Sequence, residues 1–261
     1  MRPVLAVALV AAVLLSACAA KAPPRPAGNP TPDPTAADAF ATATAGCKGF
    51  RSIEGELSLS GRAGGERVRG RVVSGLESGG AVRLEAVAPF GAPFFVLAGR
   101  NETATLVLPR EHRVLKDIAV AAVLERITGL SLGADDLRLI LSGCLVDRAT
   151  PSNGQQWNGN WRAVTIGTDR VAYLRTQNGQ AVLTAADYGP WRVDYSAHAG
   201  GFPRVVRVRR DDGQIDITAR IDQLQVNAQI DPRAWVVEIP ADADPMTLDE
   251  LRSIAPLAEK K

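Results

Sequence analysis

From Ser52 onward the chain breaks into short stretches in which apolar and polar residues take turns, each closed by glycine, proline, asparagine or aspartate. Period two is the signature of a strand that buries one face and wets the other, so this pattern limits the fold more than any other feature. The stretch SIEGELSLSG puts Ile53, Leu57 and Leu59 on one side and Glu54, Glu56 and Ser58 on the other. ERVRGRVV repeats the pattern with Arg67, Arg69 and Arg71 outward, and Gly64-Gly65 between the two marks a hairpin. AVRLEAVA, FFVLAG and ATLVLP extend an antiparallel meander. After Trp161 come WRAVTIG, RVAYLRT, QAVLTAADY, WRVDYSA and RVVRVRR, then a tight DDG turn, QIDITARIDQLQVNAQI and a last strand, AWVVEIP. In the long stretch, Ile215 to Ile221 and Leu224 to Ile230 carry their apolar residues at opposite parity. A bulge near Asp222 and Gln223 is needed to keep one face inward.

The period changes once in mid-chain. From Ile118, DIAVAAVLERITGL and GADDLRLILSGC space their apolar residues three and four apart, with Asp117 and Asp135 near the starts and Gly129 and Gly143 just past the ends. These are two short helices. AADAFATATAGC, with Asp38 as a cap, reads as a helix ahead of the first strand, and MTLDELRSIA as a closing helical turn. A sheet of about 11 strands is too wide to stay flat and must curl. Its concave face needs a cover, and the mid-chain helices are the material available. The expected fold is mainly β with short helices (α+β): a curled antiparallel half-barrel under a helical lid. The lid encloses an apolar cavity lined by residues such as Leu57, Leu84, Leu97, Leu106 and Leu137. The alternative is a half-barrel whose interior is close-packed. With 46% hydrophobic residues, the stretch 36–261 suffices for one core and one domain.

At the N-terminus, Arg2 precedes an unbroken apolar run from Val4 to Leu15, about a dozen residues where a bilayer span needs about 20. This reads as an export signal over residues 1–17. It ends Leu15-Ser16-Ala17-Cys18, which resembles the lipobox of bacterial lipoproteins. The resemblance implies that the Cys18 thiol takes a diacylglyceryl group, that the signal is cut before it and that the freed amine is acylated. The alternative is an incidental cysteine at the end of an uncleaved anchor. Two or three acyl chains hold a protein on a membrane without spanning it. Ala19 stands where an aspartate would favour inner-membrane retention, which implies the outer membrane, facing the periplasm. AAKAPPRPAGNPTPDPT then reads as a proline-rich tether over 18–35, reaching up to about 50 Å at about 3.1 Å per residue.

Export places Cys47 and Cys144 in an oxidising compartment, where an even pair suggests a disulfide; two buried free thiols are the alternative. Neither cysteine has metal-ligand or C-x-x-C spacing. A net charge of +2 gives no reason to expect nucleic acid. His112 and His198 lie far from any nucleophile elbow, metal motif or phosphate loop, and SGLESGG at 74–80 lacks the G-x-S-x-G spacing. The pairs Asp135-Asp136 and Asp211-Asp212 fit a helix first turn and a hairpin turn. No catalytic residue, cofactor or metal is expected. Arg67, Arg69, Arg71, Arg204, Arg207, Arg209 and Arg210 read as solvated strand faces able to attract acidic headgroups or an acidic carrier protein.

The order of helix, strands, PFG, strands, helices ending DLRLILSG, strands and a terminal IDQLQVNAQIDPRAWVVEIP resembles the LolA and LolB family of lipoprotein carriers and receptors, from about Ala36 to Ile254. With the lipobox, the likeness is to the LolB side. It implies an outer-membrane lipoprotein, monomeric, that accepts acylated cargo from a soluble LolA-like carrier and passes it to the bilayer. It also implies a protruding loop with an apolar tip, matched here by Pro89, Phe90 and Gly91, where the family usually has leucine. Phe90 then either stands in solvent or packs under the lid. The alternative role is that of an assembly lipoprotein whose filled half-barrel docks onto another envelope component.

Overall fold

The computed structural model describes residues 25–146, 150–158, 160–254 and 256–257. The signal over 1–17 and the lipidation site Cys18 lie outside the described residues. The described chain forms one open sheet of 15 strands, β1 to β15, in the order β1-β8-β9-β10-β11-β12-β13-β14-β2-β3-β4-β5-β6-β7-β15. Its centre is built by three strands of 12 residues: β2 (Ser52–Ala63), β3 (Glu66–Glu77) and β14 (Ile215–Val226). Around them lie β4 (Ala81–Val87), β5 (Phe95–Arg100), β6 (Thr103–Leu108) and β7 (Arg113–Ala119) on one side. On the other lie β8 (Pro151–Trp157), β9 (Trp161–Ile166), β10 (Arg170–Gln177), β11 (Gln180–Tyr188), β12 (Trp191–Ser196) and β13 (Val205–Arg210). All pairings are antiparallel except the last, between β7 and the two-residue β15 (Asp244–Pro245). The expected bulge is present: β14 slips against β2 between Asp222 and Gln225, with Gln223 at a φ of 52°.

The strand count exceeds the expected 11 for identifiable reasons. Strands β1 (Thr31–Pro32) and β15 are two-residue edges, each ending in a proline that has no N–H to offer a further strand. Strand β8 is polar on both faces and shows no alternation. In the opposite sense, AWVVEIP is not a strand. Pro232–Trp235 forms a 3-10 turn started by the Asp231 carboxylate, which accepts from the Arg233 N–H at 2.9 Å, and Val236 is left 71% exposed.

Helices α2 (Val120–Thr128) and α3 (Ala134–Ser142) end in left-handed glycines, Gly129 and Gly143, as their sequence implied. Helix α2 starts later than expected because Ile118 and Ala119 still pair with Ala104 and Thr103, across a bulge that holds Asp117 at a φ of 50°. Helix α1 (Ala36–Ala43) packs on β8 to β11, and α4 (Leu248–Ile254) packs on α2.

The tether expected over 18–35 does not run free along its described part. The Arg25 guanidinium donates to the Ala186 carbonyl at 2.7 Å, pairs with Asp187 at 3.1 Å and lies 4.6 Å above the Tyr173 ring. Trp157 Nε1 donates to the Gly28 carbonyl, and Thr31 and Pro32 pair with Gln156 and Gln155. Prolines keep this segment out of a sheet interior but not off an edge. Residues Arg25, Gly28, Thr31 and Pro32 thus contact the domain expected from residue 36.

Cys47 and Cys144 form a disulfide, with Cα atoms 5.4 Å apart, that ties the turn after α1 to the end of α3 across a sequence separation of 97. The Cys47→Ala/Cys144→Ala variant is expected to lose about 4 to 5 kcal/mol in guanidinium unfolding, the chain-entropy value for a loop of this length. Unchanged stability would show that the sheet alone holds the two halves together.

Candidate functional site

Alternation along the central strands delivers an unbroken apolar floor. Register pairs Leu57 with Val72 and Ile221, Leu59 with Ala219, Ala219 with Val206, and Ile217 with Val208, so these side chains share the concave face. Leu124 and Ile127 of α2, Leu137, Ile140 and Leu141 of α3, and Leu130 and Leu132 between them form the roof. The space enclosed is about 80 Å³. Its one hydroxyl-bearing neighbour, Thr128, turns its Oγ1 to the Leu124 carbonyl at 2.7 Å. Ligand pockets usually span about 300–1,000 Å³, so this is a narrow apolar seam with room for a few methylenes.

Of the five leucines expected to line the cavity, Leu57, Leu84 and Leu137 do so. Leu97 and Leu106 do not: both are 0% exposed and belong to the packed core. Helix α2 follows directly from β7 and lies against β6 and β7, filling the concavity on that side. One lining residue had no periodic signal. Leu257, in the C-terminal stretch IAPLA, is buried in the cavity wall, and its carbonyl accepts from the Arg69 N–H at 3.1 Å. The trace it leaves in the sequence is Gly70, between Val68 and Val72 on β3. A Cβ at that position would stand 2.9 Å from Leu257 Cδ2.

The two lid helices are fastened unequally. The Glu102 carboxylate, in the β5–β6 turn, accepts from the Ala134 and Asp135 N–H groups at 2.6 and 2.9 Å, closing the N-terminus of α3. Asp135, expected near the helix start, lies in the first turn, and its carboxylate accepts from Gly79 and Gly80 in the β3–β4 turn. Asp136 accepts from the Gly133 N–H and from the Tyr188 hydroxyl. Burial first, and then this bond to Asp136, push the Tyr188 phenol far above its ordinary range. Arg138, buried beside Asp135, lies 5.1 Å from the Phe50 ring centroid. With the disulfide at its other end, α3 is pinned at both termini. Helix α2 has no side-chain cap and leans on α4, with one ion pair, Arg126 to Asp249 at 3.5 Å.

Strand direction places the turns at 63–66, 88–94, 109–112 and 211–214 on one rim of the sheet. The 88–94 loop carries Pro89, Phe90 and Gly91, all exposed, with Phe90 at 89%. Arg110 braces the loop from the neighbouring turn: its guanidinium donates to the Phe90 and Ala92 carbonyls at 2.9 Å and lies 4.4 Å over the Phe94 ring. Phe90 therefore stands in solvent on a held backbone. Its alternative place, under the lid, is taken by Phe95.

His112 lies on the same rim and contacts Asp242 at 2.7 Å; His198 is remote from it, and burial lowers its imidazole pKa. His198 borders a second, more open hollow of about 500 Å³ between α1 and the β10–β11 hairpin. Around that hollow the hydroxyls of Thr42, Thr44 and Ser142 all donate to helix carbonyls. Removing the α3 clamp by Glu102→Ala is expected to cost about 1–2 kcal/mol and to speed hydrogen exchange at Ala134 and Asp135 ahead of the central strands. Uniform exchange across the domain would mean that the clamp has no local role.

No family model matches the chain, and no curated protein matches it in sequence. Among solved structures it is similar to a DUF1329 family protein from Desulfovibrio piger ATCC 29098, at 13% identity over 78% of this chain and 97% of that one, with a TM-score of 0.48. It is similar to a LolA superfamily protein from Nitrosomonas europaea, at 8% identity over 75% and 96%, with a TM-score of 0.49. It is also similar to the lipoprotein LppX from Mycobacterium tuberculosis, at 10% identity over 76% and 98%, with a TM-score of 0.33. These are likenesses of shape between distant chains, and at such identity and overlap they carry no argument about cargo or partner.

Proposed function

We propose that this protein is a LolB-like outer-membrane lipoprotein, anchored through Cys18 and facing the periplasm, that receives acyl chains beneath its helical lid and delivers them to the bilayer. The observation that carries the reading is the pairing of a wholly hydrocarbon seam with an aromatic side chain held in water. The seam offers an acyl chain no polar partner and no polar penalty, so transfer between it and a membrane changes little in free energy. Phe90, 89% exposed on a loop stiffened by Pro89 and Pro93 and braced by Arg110, is costly in solvent and favourable in lipid. A soluble carrier similar to LolA would supply the cargo.

A second reading has its own support: 80 Å³ is close to a filled interior, as suits an assembly module that docks on another envelope component. The two readings part on the cargo. Native mass spectrometry of the freshly isolated protein, released from its anchor, is expected to find co-purified lipid; lipid-free protein that also fails to bind a fluorescent fatty acid would leave the assembly role.

Phe90→Glu is expected to leave thermal unfolding unchanged and to abolish delivery of acylated cargo to vesicles, while fatty-acid binding persists. A fall in Tm would assign Phe90 to the core instead. Leu257→Ala is expected to enlarge the seam, to cost the empty protein about 2–5 kcal/mol and to tighten fatty-acid binding several-fold. Weaker binding would mean that Leu257 contacts the chain and does not compete with it.

A further inference from the structure

The outer face of the central sheet sorts its charges along the strands. Three cross-strand rows lie nearest the rim that bears Phe90. The first is Arg209, Asp216, Arg62 and Arg67; the next is Arg207, Thr218, Ser60 and Arg69; the third is Arg220, Ser58 and Arg71, ending at Val87. They hold seven arginines and one aspartate. The row after them is Asp222, Glu56, Val73 and Glu85, and beyond it Glu54 shares a row with Arg83. One face thus changes sign along its length, basic toward Phe90 and acidic away from it.

Part of the basic charge is answered within the protein. Arg207 pairs with Asp216, Arg209 with Asp194 on the adjoining strand, and Arg71 with Glu56 from the acidic row. Arg62, Arg69 and Arg220 are exposed and form no ion pair with a described residue. Between the guanidiniums stand Asp216, Ser58, Ser60 and Thr218, all too short to hold a bulky partner away. At about 4.8 Å per strand and about 6.8 Å per row the patch measures about 14 Å each way. Neighbouring guanidiniums lie within about one Debye length of one another and reinforce each other, while opposite corners of the patch are largely screened.

We propose that these three rows form a docking surface for an anionic phospholipid bilayer, with Arg62, Arg69 and Arg220 meeting headgroup phosphates while Phe90 enters the apolar layer at the same rim. A guanidinium donates to phosphate through two parallel N–H groups. An acidic protein would answer the charge but leave the exposed Phe90 unexplained, whereas a bilayer offers anions and hydrocarbon in that order of depth. The acidic rows opposite repel the same surface and fix which end faces it. The inference rests on the membrane-facing half of the proposed function and not on what the seam holds.

The test is co-sedimentation of the mature chain, residues 18–261 carrying Cys18→Ser, so that neither the apolar signal nor an acyl anchor contributes, with phosphatidylcholine vesicles with and without phosphatidylglycerol. Binding is expected only with phosphatidylglycerol, to fall steeply with salt, and to weaken about fivefold for each of Arg62→Gln, Arg69→Gln and Arg220→Gln and about a hundredfold for the three together. Arg83→Gln, on the acidic part of the face, should bind as the parent does. Equal binding to neutral vesicles, no binding to either kind, or a folded triple variant that binds like the parent would each overturn the proposal; the single variants serve if the triple one does not fold. Fatty-acid binding, measured without vesicles, should be unaffected by the three substitutions, and its loss in the parent would count against the acyl-chain reading alone.

Discussion

A broad sheet with one largely apolar face cannot stand alone in water, and the rest of this molecule follows from covering that face. The three central strands turn Ile53, Leu57, Leu59, Val68, Val72, Leu76, Ile215, Ile217 and Ile221 inward, with small residues and Ser74 between them. Twist curls so wide a sheet, and curling brings the two wings close enough for short helices to bridge them. Nine-residue helices with one apolar side are long enough for that and no longer. The sheet does not close, so its edges need separate treatment. Thr31-Pro32 and Asp244-Pro245 occupy them, and each supplies too short and too poor a donor row to recruit another strand.

The same alternation that builds the floor leaves the outer face free for polar side chains, so the two faces answer to different demands. Inside, hydrophobic burial fixes residue type almost completely. Outside, Arg62, Arg69 and Arg220 are exposed and form no ion pair with a described residue. Arg110 shows the same separation. It has no part in the core, yet it gives two guanidinium hydrogen bonds and a ring contact to hold a loop whose tip touches nothing. Such features mark the rim as a surface shaped by something other than folding.

What was legible in the sequence was what has a period or a local stop signal. Strand parity, the bulge in β14 and the glycine ends of α2 and α3 could all be read from neighbours along the chain. Cys47 and Cys144 were readable from compartment and number. Contacts made by single residues across long separations were not. Leu257 fills a notch opposite Gly70, and Arg25 crosses to Asp187 from a segment whose prolines suggest an extended tether. Leu97 and Leu106 carry the right parity for the cavity, but parity names a face, not what lies on it; α2 covers their part of that face. AWVVEIP has strand composition, yet Pro232 and the Asp231 turn bend it before it can pair.

The unequal fastening of the lid bears on how a narrow seam could take up a chain many methylenes long. Helix α3 is held by Glu102, Asp135 and the disulfide, and α4 by the Glu250–Arg113 pair, so the least fastened part of the roof is α2. Swinging α2 outward exposes Val123, Leu124 and Ile127, at about 1.5–3 kcal/mol each if fully wetted, or about 5–9 kcal/mol together. An acyl chain of about ten methylenes brings about 8 kcal/mol at about 0.8 per methylene. The two are of one size, so the lid has no reason to open in water and little reason to stay shut against a chain already at its edge. In the proposed role, opening would be driven by the ligand, about two to four methylenes offsetting each wetted side chain. Helix α2 lies where that exchange would begin, because neither a carboxylate clamp nor a disulfide ties it to the sheet among the described residues, whereas Glu250 pairs α4 with Arg113 of β7 and the Leu257 carbonyl accepts from the Arg69 N–H.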